Sequence, residues 1–549
     1  MPTILRATQR AGNTGIIHSM IQEFFKQHVQ RGLVRRFNNL KIASMARAVA
    51  RRQPKPSGAP IVFFKASTGI DDLSWNSGFH MLASWALRLK GIPVAYFACH
   101  AGMSKCVLGT NRDNPHKEMP CRSCVYQSKT LYTATKPHWF EYQRDAELAS
   151  AIEKLSVPEL MTFEWKNIPL GSLCLPGLRW ILRIHHLSDD ENTRYLLREY
   201  ILSAWNVARK FSDFLDQTQP RAVVVFNGQF FPEATARFIA WKRGLRVITH
   251  EVGLQPSSAF FTDGEATAYP IHIPDEFELN DEQNKKLDAY LARRFQGDFT
   301  MAGIRFWADM KGLDESFLQK VAQFNQIVPV FTNVIFDTSQ PHANTVFEDM
   351  FAWLDMILDV IRGYRETLFV IRAHPDELRV RKSSRETVEG WVDSHEVRKE
   401  PNVIFVGPKE TLSSYELIQK SKFVMVYNST IGLEASIMGA AVLCAGRARF
   451  TQYPTVFFPQ TADEVKRKMN EFLDAGKIDV PPEFKRNARR FLYYQLYKTS
   501  LPFGDFLEPS VRTTQTRLKS FRLNELLESN AVNVVLNGLL MGGDFLLED

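Results

Sequence analysis

Polar residues that suit phosphate binding follow two apolar segments in the second half of the chain. In VIRAHPDE, Arg372 and His374 stand directly after an apolar, strand-like run. In VYNSTIGLEA, Ser429 and Thr430 lie between an apolar run and a helix-like segment rich in small residues. A guanidinium, an imidazole and the free N–H groups of a helix start all bind phosphate in proteins. The two motifs therefore predict one phosphate site built from two strand ends.

Gly432 and Glu434 extend the second motif into the predicted helix. The glycine would let a ligand approach closely, and the carboxylate would bond ribose hydroxyls. The alternative is a capping box, in which Ser429 or Thr430 caps the helix and Glu434 closes it, and the two functions are compatible. Similarly, His374 can belong to a plain His-Pro turn. No G-x-G-x-x-G or Walker motif occurs, which argues against dinucleotide binding and ATP hydrolysis.

The first half of the chain offers a candidate general base. The segments FNGQFFPE and THEVG end two predicted neighbouring strands, and Glu251 in the second can accept a proton from an acceptor hydroxyl. The alternative is an ordinary loop carboxylate paired with Arg246 or Lys242. FTNVIFD is predicted to end the first strand of the second half near the same cleft. The residues expected to contact the substrates are Asn227, Gln229, His250 and Asp337.

Strand-like and helix-like segments alternate in two series, which is the βαβ pattern of parallel sheets. The first series is interrupted by a mostly helical stretch over 144–218, and residues 254–278 read as a loop. The second series contains five strands. We predict an α/β protein of two Rossmann-like domains that face each other across a cleft, the glycosyltransferase B architecture. The predicted divisions are a basic arm and linker (1–58), an acceptor domain (59–325), a donor domain (326–500) and a helical tail (501–549).

The positive charge of the chain is concentrated at its start. Residues 1–56 hold eleven Lys and Arg against one acid, Glu23, whereas the rest of the chain holds 57 basic and 59 acidic residues. Apolar residues between Ile16 and Phe25 recur near helical spacing. A basic amphipathic helix suits an anionic membrane or an acidic partner, and a helix docked on the body is the alternative. No basic, aromatic-interleaved surface is evident elsewhere, so we expect no nucleic-acid partner.

Four cysteines fall close together in the sequence: Cys99, Cys106, Cys121 and Cys124. Thiolates at such spacings can bind zinc. The alternative is a set of reduced, partly buried thiols, as is usual in the cytoplasm. No apolar run of transmembrane length and no secretory signal is recognised, so the expected location is the cytoplasm, with contact to the inner face of its membrane through the basic arm.

The motifs THEVG, FTNVIFD, RAHPDE and YNSTIGLEASIMGAAVL occur in an order that resembles the capsule polysaccharide synthesis proteins. That family includes capsular Kdo transferases and is related in style to bacterial sialyltransferases and polyglycerolphosphate polymerases. The resemblance implies a metal-independent glycosyltransferase, without a cofactor, that uses a nucleotide sugar such as a CMP- or UDP-linked one. It also implies that His374, Ser429 and Thr430 contact the donor phosphate and that Glu251 is the base.

One position departs from the family pattern. The second acidic position of the acidic-acidic-glycine motif is Val252 here, and relatives can use that second carboxylate as the base. The favoured hypothesis is transfer of a sugar to a lipid-linked or polysaccharide acceptor of the cell surface. A nucleotide-sugar 2-epimerase shares the two-domain cleft and is the first alternative. A non-catalytic, membrane-associated scaffold with a degenerate transferase fold is the second.

Overall fold

The computed structural model of the chain describes residues 29–70, 72–296, 300–301, 304–305, 312–337, 339–379, 383–512 and 514–548. We number helices α1–α19 and strands β1–β16 in chain order. Residues 29–52 form α1, and the apolar pattern between Ile16 and Phe25 lies outside the described residues. None of the described helices combines the length and hydropathy needed to cross a membrane.

The first domain is built on a seven-stranded sheet of order β14-β6-β5-β4-β1-β2-β3. Strands β1 to β5 are parallel, and their continuous apolar runs bury both faces of the sheet. The strands are β1 (Ile61–Phe64), β2 (Val94–Cys99), β3 (His138–Phe140), β4 (Ala222–Phe226), β5 (Arg246–Val252), β6 (Ser258–Thr262) and β14 (Leu501–Pro502). The helices are α2 (Trp75–Leu89), α3 (Cys121–Leu131), α4 (Ala146–Ile152), α5 (Val157–Met161), α6 (Leu170–Leu182), α7 (Glu191–Thr218) and α8 (Glu233–Lys242).

The second domain has a five-stranded parallel sheet of order β11-β10-β9-β12-β13. Its strands are β9 (Gln326–Phe331), β10 (Thr367–Arg372), β11 (Val403–Val406), β12 (Val424–Val426) and β13 (Val442–Cys444). Its helices are α11 (Gln340–Ala343), α12 (Met350–Ile361), α13 (Val388–Ser394), α14 (Ser414–Lys420), α15 (Ile431–Met438), α16 (Ala462–Asp474) and α17 (Pro482–Tyr493). Between β6 and β9 along the chain lie α9 (Asp281–Phe295), β7 (Thr300–Met301), β8 (Ile304–Arg305) and α10 (Glu315–Val321).

Both sheets have the strand order of a Rossmann fold. In this order the second and third strands lie on one side of the first strand, and the later strands lie on its other side. The expected α/β class with two Rossmann-like domains is therefore confirmed. One difference lies in the segment 254–278, predicted to be a loop, which contains β6 running antiparallel to β5. The residues of Ser258–Thr262 are largely buried, and tertiary packing makes this short segment a strand.

The C-terminal region is helical in part and returns to the first domain. Helices α18 (Leu523–Glu528) and α19 (Asn530–Met541) pack into the core around α2, which explains their apolar faces. The region also contains strands that the prediction of a helical tail lacked. Strand β14 pairs with β6, and β15 (Leu507–Pro509) pairs with β16 (Thr516–Leu518).

Candidate active site

A cleft of about 1150 Å³ lies between the two sheets and is lined from both domains. Lys65 and Asn227 follow β1 and β4 of the first sheet, and Glu251 lies near the end of β5. His374 and Ser429 follow β10 and β12 of the second sheet. The carboxyl ends of parallel strands are where ligands bind in open α/β folds. The structure therefore brings the candidate base and the candidate phosphate ligands to one cleft.

Glu251 is held between two side-chain amides. Its Oε1 accepts a hydrogen bond from Asn76 Nδ2 at 2.9 Å, and its Oε2 accepts one from Asn227 Nδ2 at 2.8 Å. Arg246 instead pairs with Asp263, and Lys242 donates to a backbone carbonyl. The alternative that Glu251 is a loop carboxylate paired with Arg246 or Lys242 is therefore wrong.

Asn227 has a backbone conformation that places its side chain toward Glu251. Its φ is +60°, in the left-handed region that asparagine tolerates better than most residues. Its Oδ1 accepts from the backbone N–H groups of Gln229 and Phe230, so its NH₂ group must point the other way. Gln229 itself does not line the cleft. Its side chain donates to Glu265 and lies 3.2 Å from His342 Nε2, and both of these residues do line it.

His250 does not face the cleft, and its predicted contact with substrate is wrong. Neighbouring residues of a strand point to opposite faces, so Glu251 on one face puts His250 on the other. The ring is fully buried against Phe261, and among the described residues neither ring nitrogen has a hydrogen-bond partner. Burial, reinforced by the nearby Lys65 ammonium, lowers the pKa of His250 to about 3. The ring is therefore a neutral part of the core.

Lys65 is a cleft residue that no local signal in the sequence marks. It is 3% exposed, and its ammonium group lies 4.3 Å from the centre of the Phe226 ring. Burial lowers the pKa of Lys65, while the carboxylates of Glu233 and Glu251 oppose that shift. The side chain thus places a cation beside the candidate base, at the carboxyl end of β1.

On the second sheet, His374 is oriented by its own backbone turn. Its Nδ1 accepts a hydrogen bond from the Asp376 N–H at 3.2 Å, so the neutral ring carries its proton on Nε2. Burial lowers the pKa of His374, and Arg372 acts in the same direction against Asp376 and Asp337. A neutral imidazole that carries its proton on Nε2 is a hydrogen-bond donor for a phosphate oxygen.

Arg372 and Asp337 also line the cleft. Arg372 is 4% exposed and its guanidinium donates to the carbonyl of Leu412, and burial lowers its pKa to about 10. The sequence predicts that Asp337 lies at the end of the first strand of this domain. Strand β9 ends at Phe331, so Asp337 lies six residues later, in an exposed turn that still reaches the cleft.

The two hydroxyl residues Ser429 and Thr430 line the cleft, and their side chains do not cap α15 by a hydrogen bond. Thr430 is the N-cap residue, and its side chain makes no capping hydrogen bond. Glu434 is also engaged elsewhere, since one of its oxygens accepts from Arg294 and the other from the Tyr415 hydroxyl. The capping box is therefore wrong, and the two hydroxyls remain able to bind a ligand.

Glu434 lines the cleft, and its contact with ribose stays a prediction, whereas Gly432 does not line the cleft. The Glu434–Arg294 pair is buried and ties α15 to α9, so its carboxylate is already occupied where a ribose contact is predicted. A Cβ at position 432 would lie 2.9 Å from Val426 Cγ2 and 3.1 Å from Phe450 Cζ. The glycine thus allows α15 to pack against β12, and it does not line the cleft.

Asn333 and Asn428 are two further residues that sequence patterns do not reveal. They follow β9 and β12, the neighbouring strands where the topology reverses, and the Asn333 amide donates to Asn428 Oδ1 at 2.7 Å. Their hydrogen bond fixes the floor of the cleft between the two strand ends, and both residues line it.

The four cysteines do not form a metal site among the described residues. Cys106, Cys121, Cys124 and Cys99 are free thiols, and no three of their sulfur atoms come within ligand distance of one another. Cys124 Sγ lies 3.2 Å from the Ser67 hydroxyl, and burial raises the pKa of Cys106 to about 12. Of the two interpretations, the structure favours protonated, partly buried thiols.

Comparison with known proteins links the second domain to one family. The sequence model described as capsule polysaccharide biosynthesis protein matches residues 313–463, which include β9 to β13 and the motifs around His374 and Ser429. The resemblance predicted from those motifs is therefore confirmed for this segment of the chain. A search of curated protein sequences found no match.

Solved structures that match the chain include two KpsC Kdo transferases and an epimerase. The β-Kdo 2,4 transferase of Thermosulfurimonas dismutans KpsC is 11% identical, covering 56% of this chain and 87% of its own, with a TM-score of 0.34. The β-Kdo 2,7 transferase of the same organism is 12% identical, covering 58% and 88%, with a TM-score of 0.31. UDP-GlcNAc 2-epimerase of Methanocaldococcus jannaschii is 10% identical, covering 79% and 99%, with a TM-score of 0.25.

Proposed function

We propose that the protein is a glycosyltransferase of capsule or cell-envelope polysaccharide biosynthesis that uses a nucleotide-activated sugar. The observation that carries the proposal is the cleft itself. Glu251 on the first sheet faces the same cleft as His374, Ser429 and Thr430 on the second sheet. A base on one side and phosphate ligands on the other are the two parts that glycosyl transfer from a nucleotide sugar needs.

The second sheet is proposed to hold the donor. The Nε2–H of His374, the hydroxyls of Ser429 and Thr430 and the N–H groups at the start of α15 would donate to the donor phosphates. Arg372 contributes positive charge to the same region of the cleft. These groups would also stabilise the nucleotide phosphate as it leaves, so the proposal assigns no catalytic metal and no cofactor.

The first sheet is proposed to hold the acceptor, a lipid-linked or polysaccharide hydroxyl. Glu251 would take the proton of that hydroxyl while its oxygen attacks the anomeric carbon and the bond to the nucleotide phosphate breaks. The amides of Asn76 and Asn227 keep the carboxylate in place, and Lys65 lies close enough to act on it electrostatically. With Val252 at the second acidic position of the motif, Glu251 is the carboxylate of that motif available as the base.

A donor panel tests this assignment. Thermal-shift and calorimetric titration with CMP, UDP, GDP and CDP would identify the nucleotide, and turnover would then be followed with the matching sugars. His374→Ala and Ser429→Ala should weaken nucleotide binding, whereas His395→Gln, a surface control at the C-terminal end of α13, should not. Unchanged nucleotide binding and sugar transfer in the first two variants would contradict the proposal. Conversion of UDP-GlcNAc to a new epimer without any acceptor would support the epimerase instead.

Helix α1 is proposed to hold the enzyme at an anionic membrane. Residues 29–52 contain seven Lys and Arg and no acid. One face packs into the core through Ile42, Ala46 and Val49, while large apolar side chains recur every three or four residues on the outer face. These residues are 50–66% exposed: Val29, Leu33, Phe37 and Leu40. An exposed apolar stripe among basic residues is the pattern of an interfacial helix, and each basic residue near anionic lipid contributes about 1 kcal/mol.

Vesicle sedimentation tests the membrane contact with the full chain. We expect binding to vesicles containing phosphatidylglycerol, weaker binding at high salt and little binding to phosphatidylcholine alone. Replacing Leu33, Phe37 and Leu40 together by serine should abolish binding and leave nucleotide binding intact. Equal sedimentation of this variant and the wild type would refute the assignment of α1, without affecting the proposed chemistry.

A further inference from the structure

A cluster of two histidines and two carboxylates joins the two domains at a place outside the cleft. His185 and His186 follow α6 of the first domain. Asp349 is the N-cap residue of α12, and Glu386 precedes α13, both in the second domain. The ligand atoms of His185, His186 and Asp349 all lie within 4.8 Å of one another. None of these residues lines the cleft in which the glycosyl transfer is proposed.

The distances within the cluster suit a small divalent ion. Two ligand atoms on one tetrahedral zinc ion lie about 3.3 Å apart, given bond lengths of roughly 2.0–2.1 Å. His186 Nε2 is hydrogen-bonded to Asp349 Oδ2 at 2.9 Å, so an ion would replace this hydrogen bond and the two atoms would move slightly apart. Asp349 Oδ1 is occupied by the backbone N–H groups of Phe351 and Ala352, which leaves Oδ2 as the oxygen directed at the histidines.

The buried ring of His185 is the feature that points to a ligand. The residue is 5% exposed, and its Nδ1 is buried with no hydrogen-bond partner among the described residues. A buried ring nitrogen without a partner costs free energy unless something binds it. Imidazole nitrogen suits zinc, copper and nickel ions, and a ligand atom of His186 and one of Asp349 lie within 4.8 Å of a ring nitrogen of His185.

Glu386 supports the histidines in the way that outer carboxylates support metal ligands. Its Oε1 accepts from His186 Nδ1, and its Oε2 accepts from the backbone N–H groups of His185 at 2.7 Å and His186 at 3.2 Å. A histidine that donates one ring N–H to a carboxylate presents its other nitrogen to the metal. The carboxylates of Asp349, Glu386 and Glu348 lie near Arg179, and a bound cation would take the place of the proton that His186 shares with Asp349.

We propose that His185, His186 and Asp349 bind one divalent first-row transition ion, with zinc as the reference, which pins the first domain to the second. The site would be structural and not catalytic, since its residues do not line the cleft. Such an ion stabilises the folded arrangement by mass action, and it would restrict the relative motion of the two halves of the cleft.

The test measures zinc binding by the chelator-stripped full chain. We expect one equivalent of Zn²⁺ by elemental analysis and calorimetry, together with a rise in the thermal midpoint on adding Zn²⁺. His185→Gln and His186→Gln should lose both effects, and Glu386→Gln should weaken affinity about 10- to 100-fold. The matched control is His395→Gln, because His395 also pairs with a single aspartate on the surface of the second domain.

Two further measurements test whether zinc binds to the cysteines instead and whether the variants fold. A variant with Cys106, Cys121 and Cys124 replaced by serine should still bind one Zn²⁺, and Co²⁺ substitution should show no cobalt–thiolate charge-transfer band. Circular dichroism of the metal-free variants checks that they fold. If the histidine variants do not fold, the zinc affinity of Glu386→Gln still tests the proposal. Absence of stoichiometric binding, or binding unchanged in both histidine variants, would overturn the proposal and leave His186 as a plain hydrogen-bonded contact between domains.

Discussion

The substitution Glu251→Gln separates the chemistry of the candidate base from its structural environment. Glutamine has the shape of glutamate and cannot take a proton. The Asn227 amide is fixed by its own two backbone hydrogen bonds, so its NH₂ group continues to donate to Oε1 of the new side chain. The Asn76 amide is not fixed in this way, because its Oδ1 is buried with no hydrogen-bond partner among the described residues.

Rotation of the Asn76 amide by half a turn would accommodate the new side chain on that side, but the backbone N–H of Val252, which donates to Glu251 Oε1 at 3.1 Å, would lose its acceptor. The Asn76 Oδ1 would accept from the NH₂ of glutamine, and a buried acceptor would gain a partner. Replacing the two charge-assisted hydrogen bonds from the amides by neutral ones costs about 2 kcal/mol, loss of the acceptor of the Val252 N–H costs about 1–3 kcal/mol, and satisfying the buried Asn76 acceptor returns about 1–3 kcal/mol. We expect the free energy of unfolding to fall by about 2 kcal/mol, and the thermal midpoint to fall by about 4–8 °C.

Catalysis should respond very differently. Loss of a general base costs about 10²- to 10⁴-fold in turnover, or roughly 3–5 kcal/mol in activation free energy. The assay is release of nucleotide from the donor that the panel identifies, with an acceptor present, and nucleotide affinity measured in parallel should be unchanged. The matched variant Asn227→Ala removes one donor from Glu251 and the acceptor for two backbone N–H groups, so it should lower both stability and turnover. Full turnover by Glu251→Gln would refute the assignment of the base, and a large loss of stability would refute the argument about Asn76.

Three other predictions concern buried residues around the cleft. Arg294→Met leaves the buried Glu434 carboxylate without its cation, so urea denaturation should show a loss of about 3–5 kcal/mol, most of which a second change, Glu434→Leu, should restore. His250 has a folded-state pKa of about 3 against 6.5 when unfolded, so protons bind the unfolded state more strongly and stability falls as pH decreases through that window. His250→Phe should therefore reduce the fall in thermal midpoint between pH 7 and pH 5, and identical pH profiles would contradict this. Gly432→Ala places a Cβ 2.9 Å from Val426, so it should cost about 1–3 kcal/mol by thermal denaturation and weaken nucleotide binding, and a neutral result would show that α15 shifts freely.

The alternation of elements was predictable because parallel strands buried on both faces are short, continuous apolar runs. The runs AVVVF (Ala222–Phe226) and TLFVIR (Thr367–Arg372) have this pattern and form β4 and β10. The position of functional residues at strand ends follows from the same topology, which is why Glu251, His374 and Ser429 lie in one cleft.

Contacts between residues far apart in sequence were not predictable from local patterns. One partner of Glu251 is Asn76, 175 positions earlier, and one partner of Glu434 is Arg294, 140 positions earlier. Polar and apolar residues in Arg246–Val252 do not alternate regularly, so the pattern does not tell which of two adjacent polar residues faces the ligand. The choice between His250 and Glu251 depends on the direction of the strand relative to the second domain, which only the tertiary structure supplies.

The relative position of the two domains is the quantity on which the proposed chemistry depends. The base and the phosphate ligands belong to different sheets, so their separation is set by contacts between domains and not within them. At one contact between the domains, the backbone N–H of Ile271 donates to Gln452, and that of Ile273 donates to the Tyr453 hydroxyl. At another, His186 joins Asp349. Weakening either contact should lower turnover more than nucleotide affinity, because the donor binds one sheet and transfer requires both.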